Sequence, residues 1–254
     1  MKQPHINCSA DDVSPYVILP GDPARAERIA AFLDGADEVA INREFRTMTG
    51  SYRGVPVTVT STGIGGASMA IALEELINCG GRFFIRTGSC GACRSEIGMG
   101  DLVLSSASVR GDGASRMYLP PEYPAAADPQ MLHSAMDLCR NEGYRYFTGI
   151  TRSHDSFYID DEAEQMRFWH DRGVLASDME TSALYAIASL RGVRAVSILN
   201  NVVLYEGDLK EGIADYVNQD EACGEGEKRE ILIALKTLEI MQNSGCSTFL
   251  RKPT

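Results

Sequence analysis

Three arginines stand close to turn residues: Arg25 follows Gly21-Asp22-Pro23, Arg43 lies in Asn42-Arg43-Glu44-Phe45, and Arg86 ends the apolar run Phe83-Phe84-Ile85 just before Thr87-Gly88-Ser89. A guanidinium presents a planar fork that matches two oxygens of a phosphate, and a glycine turn at a helix start leaves backbone N–H groups free to face an anion. Bound oxyanion is therefore the chemistry these residues could do. Any one of them alone reads better as a salt bridge or a snorkelled surface charge. Arg86 departs from that reading because an apolar strand delivers it straight into a Gly-Ser turn.

Other residues carry a structural reading first. Glu180 falls in the first turn of a predicted helix, where a carboxylate complements the helix dipole. Phe157, Tyr158 and Trp169 read as core aromatics, and His5 as a tail residue. Cys90-x-x-Cys93 would be half of a zinc or redox site, but no second C-x-x-C or H-x-x-x-H completes four ligands. There is no G-x-S-x-G nucleophile elbow and no Ser-His-Asp set. The glycines at 63, 65 and 66, with Ser68 where a further glycine belongs, miss the dinucleotide-binding spacing.

The elements that must position these residues alternate between β-rich apolar runs and amphipathic helices, the pattern of an α/β protein: a single domain over 1–254 with a mixed central sheet flanked by helices. Predicted strands cover Tyr16–Leu19, Arg46–Arg53, Val55–Thr60, Arg82–Ile85, Asp101–Val109, Phe147–Thr151 and Val193–Leu199. Predicted helices cover the stretch from Pro23 to Leu33, Ala67–Asn78, Pro129–Glu142, Met179–Leu190 and Glu227–Gln242, with 243–254 as a tail. Thr87–Gly91 is read as a glycine-rich turn. Ligands of open α/β sheets bind outside the carboxyl ends of the strands, here among Gly21, Gly63–Gly66 and Gly88.

The chain has 254 residues, 44% of them apolar, with a formal net charge of −11. That charge argues against general nucleic-acid affinity and for a small substrate whose positive partners are gathered locally. No run approaches the roughly 20 uncharged apolar residues of a membrane span, and the N-terminus lacks a signal-peptide core. Seven scattered cysteines are unlike a secreted disulfide framework, so reduced thiols and a cytoplasmic location are expected.

Five segments, Leu19–Arg25, Asn42–Phe45, Ser61–Gly66, Ile85–Ala92 and Asp178–Ser182, together resemble the trimeric and hexameric nucleoside phosphorylases, a family that includes uridine phosphorylase and bacterial purine nucleoside phosphorylase. Ala107–Ser115 followed by Glu122–Ala125 looks more like the uridine branch. The resemblance implies phosphorolysis of a nucleoside to free base and ribose 1-phosphate, with inorganic phosphate as co-substrate and no required cofactor. It implies a phosphate site of Gly21, Arg25, Arg86 and Ser89, with Arg43 reaching in from a neighbouring subunit. Met179 and Glu180 would hold ribose, with the neighbour's His5 at the 5′ end, and Phe157 would stack on the base. Arg86 and Glu180 would be the catalytic pair. A potassium ion between paired subunits would match Glu44, Ile64 and Ser68, oxygen ligands suiting a hard cation. A dimer-based homo-oligomer, a hexamer, is implied as well.

The pattern departs from the family at the base. Where uridine phosphorylases carry Gln and Arg after Phe-Tyr, this chain has Asp161 and Ala163. The acidic residue that purine enzymes carry after the late strand is absent from Ser197–Val203. Asp161 and Asn200 are the expected substitutes, drawn from the wider Asp160–Gln165 segment and Asn200-Asn201, since amides and carboxyls can pair with a base edge. Uridine or a related pyrimidine nucleoside is favoured over a purine one. A water-using nucleosidase is disfavoured by the retained arginines, and a non-catalytic nucleoside-binding protein is the remaining rival.

Overall fold

The computed structural model describes residues 1–207 and 221–244. The predicted tail from 245 onward, with Cys246, lies outside the described residues. Strand β1 (Tyr16–Pro20) runs into helix α1 (Pro23–Ala30), and β2 (Asp34–Asn42), β3 (Phe45–Tyr52) and β4 (Val55–Thr60) form an antiparallel wing. Helix α2 (Gly66–Asn78), β5 (Phe83–Ala92), β6 (Leu102–Gly111), α3 (Gly113–Tyr118), β7 (Ala125–Ala126) and α4 (Pro129–Glu142) follow. The rest is β8 (Tyr146–His154), α5 (Glu162–His170), β9 (Ala176–Asp178), α6 (Thr181–Arg191), β10 (Arg194–Val203) and α7 (Glu221–Asn243).

The strands form one mixed sheet. β5 pairs in parallel with β1 and β10, β10 with β6 antiparallel, β6 with β8 and β8 with β9 in parallel, and β9 returns antiparallel to β5, so these five strands close on themselves. Successive strand residues point to opposite faces, which explains the two cores. Val17, Leu19 and Phe84 pack with Met69, Leu73 and Leu184 of α2 and α6. Ile18, Phe83 and Ile85 pack with Ile29, Met131 and Leu235 of α1, α4 and α7.

Local sequence sets the helix ends. The Asp22 carboxylate accepts from Ala24 N–H with Pro23 at the first turn, and Asp128 caps Gln130 and Met131 N–H ahead of Pro129. α6 stops at Gly192, whose φ of 68° is the left-handed conformation that glycine adopts without Cβ strain.

Several expectations differ from the structure. Thr87–Gly91 is strand, not turn: β5 continues to Ala92 because β10 pairs along it from Phe83 to Gly91, and pairing overrides the turn preference of glycine. β2 was not anticipated because most of its residues are exposed and show no apolar alternation. α5 and α3 were likewise missed; α5 buries no residue fully, so its period is weak. α7 begins at Glu221, not Glu227, and α1 ends at Ala30, not Leu33. Among the described residues no helix is long and apolar enough to cross a membrane.

Candidate active site

Arg86 sits on β5 between β1 and β10, in register with Leu19 and Ser197, so its backbone is fixed from both sides. Its Nε donates to Asp178 Oδ2 at 3.0 Å and its Nη2 lies 2.5 Å from Glu180 Oε2, while Nη1 is buried without a hydrogen-bond partner among the described residues. Burial works against its charge, but Glu180 and Asp178 outweigh burial and raise the guanidinium's pKa. Gly88 makes room for this arginine: a Cβ there would lie 2.5 Å from Nη2 and 2.6 Å from Cζ.

Asp178 is a positioning group. Besides Arg86 it accepts from Thr181 N–H at 3.0 Å, Thr181 Oγ1 at 2.6 Å and Ser153 Oγ at 2.5 Å, leaving it little capacity for a ligand. Glu180 is different. Gly65 N–H donates to its Oε1 at 2.6 Å, and burial raises its carboxyl pKa although Arg86 opposes the shift. The Gly63–Gly65 turn that supplies this N–H needs φ of 67° and 90° at the two glycines, and a Cβ on Gly63 would strike Glu44 Cγ at 2.6 Å.

Arg25, on α1, reaches the same place from the opposite direction. Its Nη2 donates to Ser89 Oγ at 2.9 Å, its Nη1 to Thr87 C=O at 3.2 Å and its Nε to Glu227 Oε2 at 2.9 Å. Glu227 also accepts from Arg28 Nη2 at 3.0 Å. Behind them, Glu230 is fully buried with Oε2 at 3.8 Å from Arg25 Nη1. Burial pushes its pKa up to about 8 against the pull of Arg25, which marks a carboxyl that holds its proton near neutrality.

These groups border a cavity of about 810 Å³. Of the residues anticipated from sequence, Gly21, Arg25, Arg86, Ser89, Met179, Glu180, Phe157, Glu44 and Ile64 line it. Ser68 stands behind Glu44, donating from Oγ to Oε1 at 2.8 Å. That bond, with one from Glu44's own backbone as the larger cause, lowers the Glu44 pKa.

The others lie elsewhere in the single chain. His5 and Arg43 share one outer edge. His5 Nδ1 is 2.6 Å from Glu75 Oε1, its C=O accepts from Asn42 Nδ2 at 2.7 Å, and the neighbouring Arg43 is exposed at the β2–β3 turn with φ of 55°. Asp161 is exposed at the start of α5 and accepts from Gln165 Nε2 at 3.0 Å, outside the cavity lining. Asn200 is fully buried at the far side, donating from Nδ2 to Cys223 C=O at 2.9 Å under Gly226 of α7. Among the described residues, then, neither Asp161 nor Asn200 lines the cavity: Gly226 of α7 packs against Asn200, and Asp161 is exposed at the start of α5.

Sequence reading missed His154 and Met166 and did not single out Glu162 within the Asp160–Gln165 segment; all three line the cavity with Tyr158. Tyr158, expected in the core, is 75% exposed. A helical period starting at Glu162 would have signalled that Glu162 and Met166 share one face, four residues apart. His154 Nδ1 lies 2.7 Å from Ser156 C=O, and burial, then Arg152, lowers its pKa, so it stays neutral with Nδ1–H donating. Cys90 and Cys93 are buried free thiols whose pKa values burial raises, the opposite of a reactive pair.

A mixed sheet that aims acid-held arginines into a cavity at its strand ends defines an enzyme built around an oxyanion. Residues 15–204 match the phosphorylase superfamily model, and the chain belongs to that family. It is 39% identical to a uridine phosphorylase of Thermococcus kodakarensis over 94% of this chain and 86% of the relative, and 34% identical to a guanosine phosphorylase of Halorubrum lacusprofundi over 92% and 95%. A solved uridine phosphorylase from Vibrio fischeri ES114 superposes with a TM-score of 0.89 at 43% identity, over 94% of this chain and 98% of that one.

Proposed function

We propose that the protein is a nucleoside phosphorylase that cleaves uridine or a close pyrimidine relative to free base and ribose 1-phosphate. The observation that carries the reading is the unpartnered Nη1 of buried Arg86 beside Arg25 and Ser89, an incomplete positive cradle at the mouth of the Gly21 and Gly88 backbone. Phosphate would complete it. A phosphate oxygen would then attack C1′ as the bond to the base lengthens, with Glu180 holding the ribose hydroxyls beside Met179 and positive charge growing on the sugar. Positioning and fixed electrostatics supply the acceleration, and no covalent enzyme intermediate is needed.

Turnover measured in phosphate-free buffer tests this. Activity should vanish and return with added phosphate, and undiminished release of free ribose would show a hydrolase instead. A purine reading is favoured by one observation, the absence of the uracil-reading Gln and Arg, and the guanosine phosphorylase relative accords with it. A tenfold preference in kcat/KM for inosine or guanosine, about 1.4 kcal/mol, would select it.

His5 and Arg43 lie together on an outer edge, which supports a shared site in a dimer-based hexamer where the neighbour's edge completes the 5′ and phosphate ends. Mixing Arg43→Ala and Arg86→Ala chains should restore part of the activity, and a fully active monomer would rule sharing out. The oxygens of Glu44 and Ser68, already in contact, together with Ile64 beside them, fit a potassium ion at that interface. A cytoplasmic location accords with the buried free thiols.

A further inference from the structure

The base end of the cavity holds one buried polar atom that the proposed reaction does not account for, and a second lies behind its lining. Glu162, at the first turn of α5, lines the cavity, and its Oε2 is buried without a hydrogen-bond partner among the described residues. Arg152 of β8 is buried nearby, its guanidinium 5.6 Å from the centre of the Trp169 ring, with Nη1 also unpartnered. Burial lowers the Arg152 pKa and Glu162 only partly opposes that shift, and no ion pair joins the two among those of the described residues. A buried carboxylate oxygen and a buried guanidinium N–H each forfeit a charge-assisted hydrogen bond by standing alone. Such a cost persists where a ligand repays it.

The cavity wall around Glu162 sets the chemistry of that ligand. Phe157 and Tyr158 have ring centroids 5.9 Å apart and present apolar faces to a flat ring. His154 is held with Nδ1–H on Ser156 C=O, leaving Nε2 as a lone pair. Acceptors thus dominate this end, so the incoming edge must bring a donor. We infer that Glu162 is the base-reading residue of this chain, accepting the ring N–H of a lactam edge, N3–H of uracil or N1–H of a 6-oxopurine, while Arg152 positions the carboxylate through its charge.

The inference rests on the nucleoside reading above and specifies it. It places the reader one residue after Asp161, on the inward side of α5, where the helix turns Glu162 and Met166 toward the cavity. One carboxylate oxygen suffices for uracil. Both oxygens would match the adjacent N1–H and exocyclic N–H of guanine.

Calorimetric binding of free bases to the full-length protein with saturating phosphate provides the test, using uracil, 3-methyluracil, hypoxanthine and 1-methylhypoxanthine. Glu162→Leu keeps bulk and removes the acceptor, whereas Glu162→Gln keeps an acceptor oxygen. The unmethylated base that wild type prefers should bind the Leu variant about tenfold more weakly, about 1.4 kcal/mol, and the Gln variant within about threefold of wild type. The methylated base should bind wild type and the Leu variant alike. Uracil or hypoxanthine as the preferred partner identifies the ring class. If Glu162→Leu binds both unmethylated bases as wild type does, Glu162 is not the reader. Phosphate-dependent formation of ribose 1-phosphate by the same preparation reports separately on the phosphorylase reading, so the two can fail independently.

Discussion

The two ends of the cavity are built differently. At the end proposed above for phosphate and ribose, Arg86, Asp178 and Glu180 are each more than nine-tenths buried and are held by strand pairing, a helix start and a glycine turn. At the end proposed for the base, Phe157 is half-buried, Tyr158 exposed, and α5 has no fully buried residue. The first end is fixed by the sheet itself. The second hangs on a connection and a short helix that touch the core lightly, where residues can change at small cost to the fold. Chemistry common to a family belongs in the first, and selectivity in the second.

Breaking the buried end should have the largest effect. Arg86→Lys keeps the charge but loses the planar fork, and kcat/KM should fall by roughly 10²–10³, the scale of losing one preorganised donor to a developing charge. Circular dichroism would confirm that the fold survives. A fall of less than fivefold would mean that Arg86 only balances Asp178 and Glu180.

Gly88→Ala approaches the same point by steric means. Its Cβ would meet the Arg86 guanidinium at 2.5 Å, so Arg86 must shift, and activity should drop about 10-fold to 100-fold without loss of the sheet. Wild-type activity in that variant would show that Arg86 has freedom to move.

At the outer end the effect should change in kind. Phe157→Ala removes one stacking face and should raise KM about tenfold with little change in kcat, the mark of lost uniform binding. An equal fall in kcat with unchanged KM would instead place Phe157 among the groups that act only in the transition state, erasing the contrast.

A fourth measurement concerns stability rather than rate. The Glu230 carboxyl ionises near its ordinary 4.5 in the unfolded chain but near 8 in the folded one. The folded state therefore binds the extra proton, and stability declines as pH rises from about 4.5 to 8. Glu230→Gln keeps the neutral shape, so its Tm relative to wild type should climb across that window and level off above it. A pH-independent difference would show that Glu230 is charged in the folded protein. Smallest of all, Asp161→Ala should change kcat/KM by less than about twofold, since an exposed side chain away from the site contributes little.

By itself the sequence determined the alternation of strands and helices, the α4 boundaries from Asp128-Pro129 to Gly143, and the order of glycine turns and arginines that belongs to one family. These are local signals, carried by period, caps and φ preferences that act within a few residues. It also determined that Arg25, Arg86, Ser89 and Glu180 concern one site, although they lie up to 155 positions apart, because their segments recur together in that family.

Only the tertiary structure decided what pairing and packing control. Thr87–Gly91 became strand because β10 lay alongside it, Asn200 lies outside the cavity lining with Gly226 of α7 packed against it, and Asp161 is exposed where Glu162, the next residue, lines the cavity. A change of one position along a helix rotates a side chain by about 100°, far enough to move it from cavity to solvent. Composition and spacing fix which residue types are near the base. The rotation that selects one of them is set by where the helix docks.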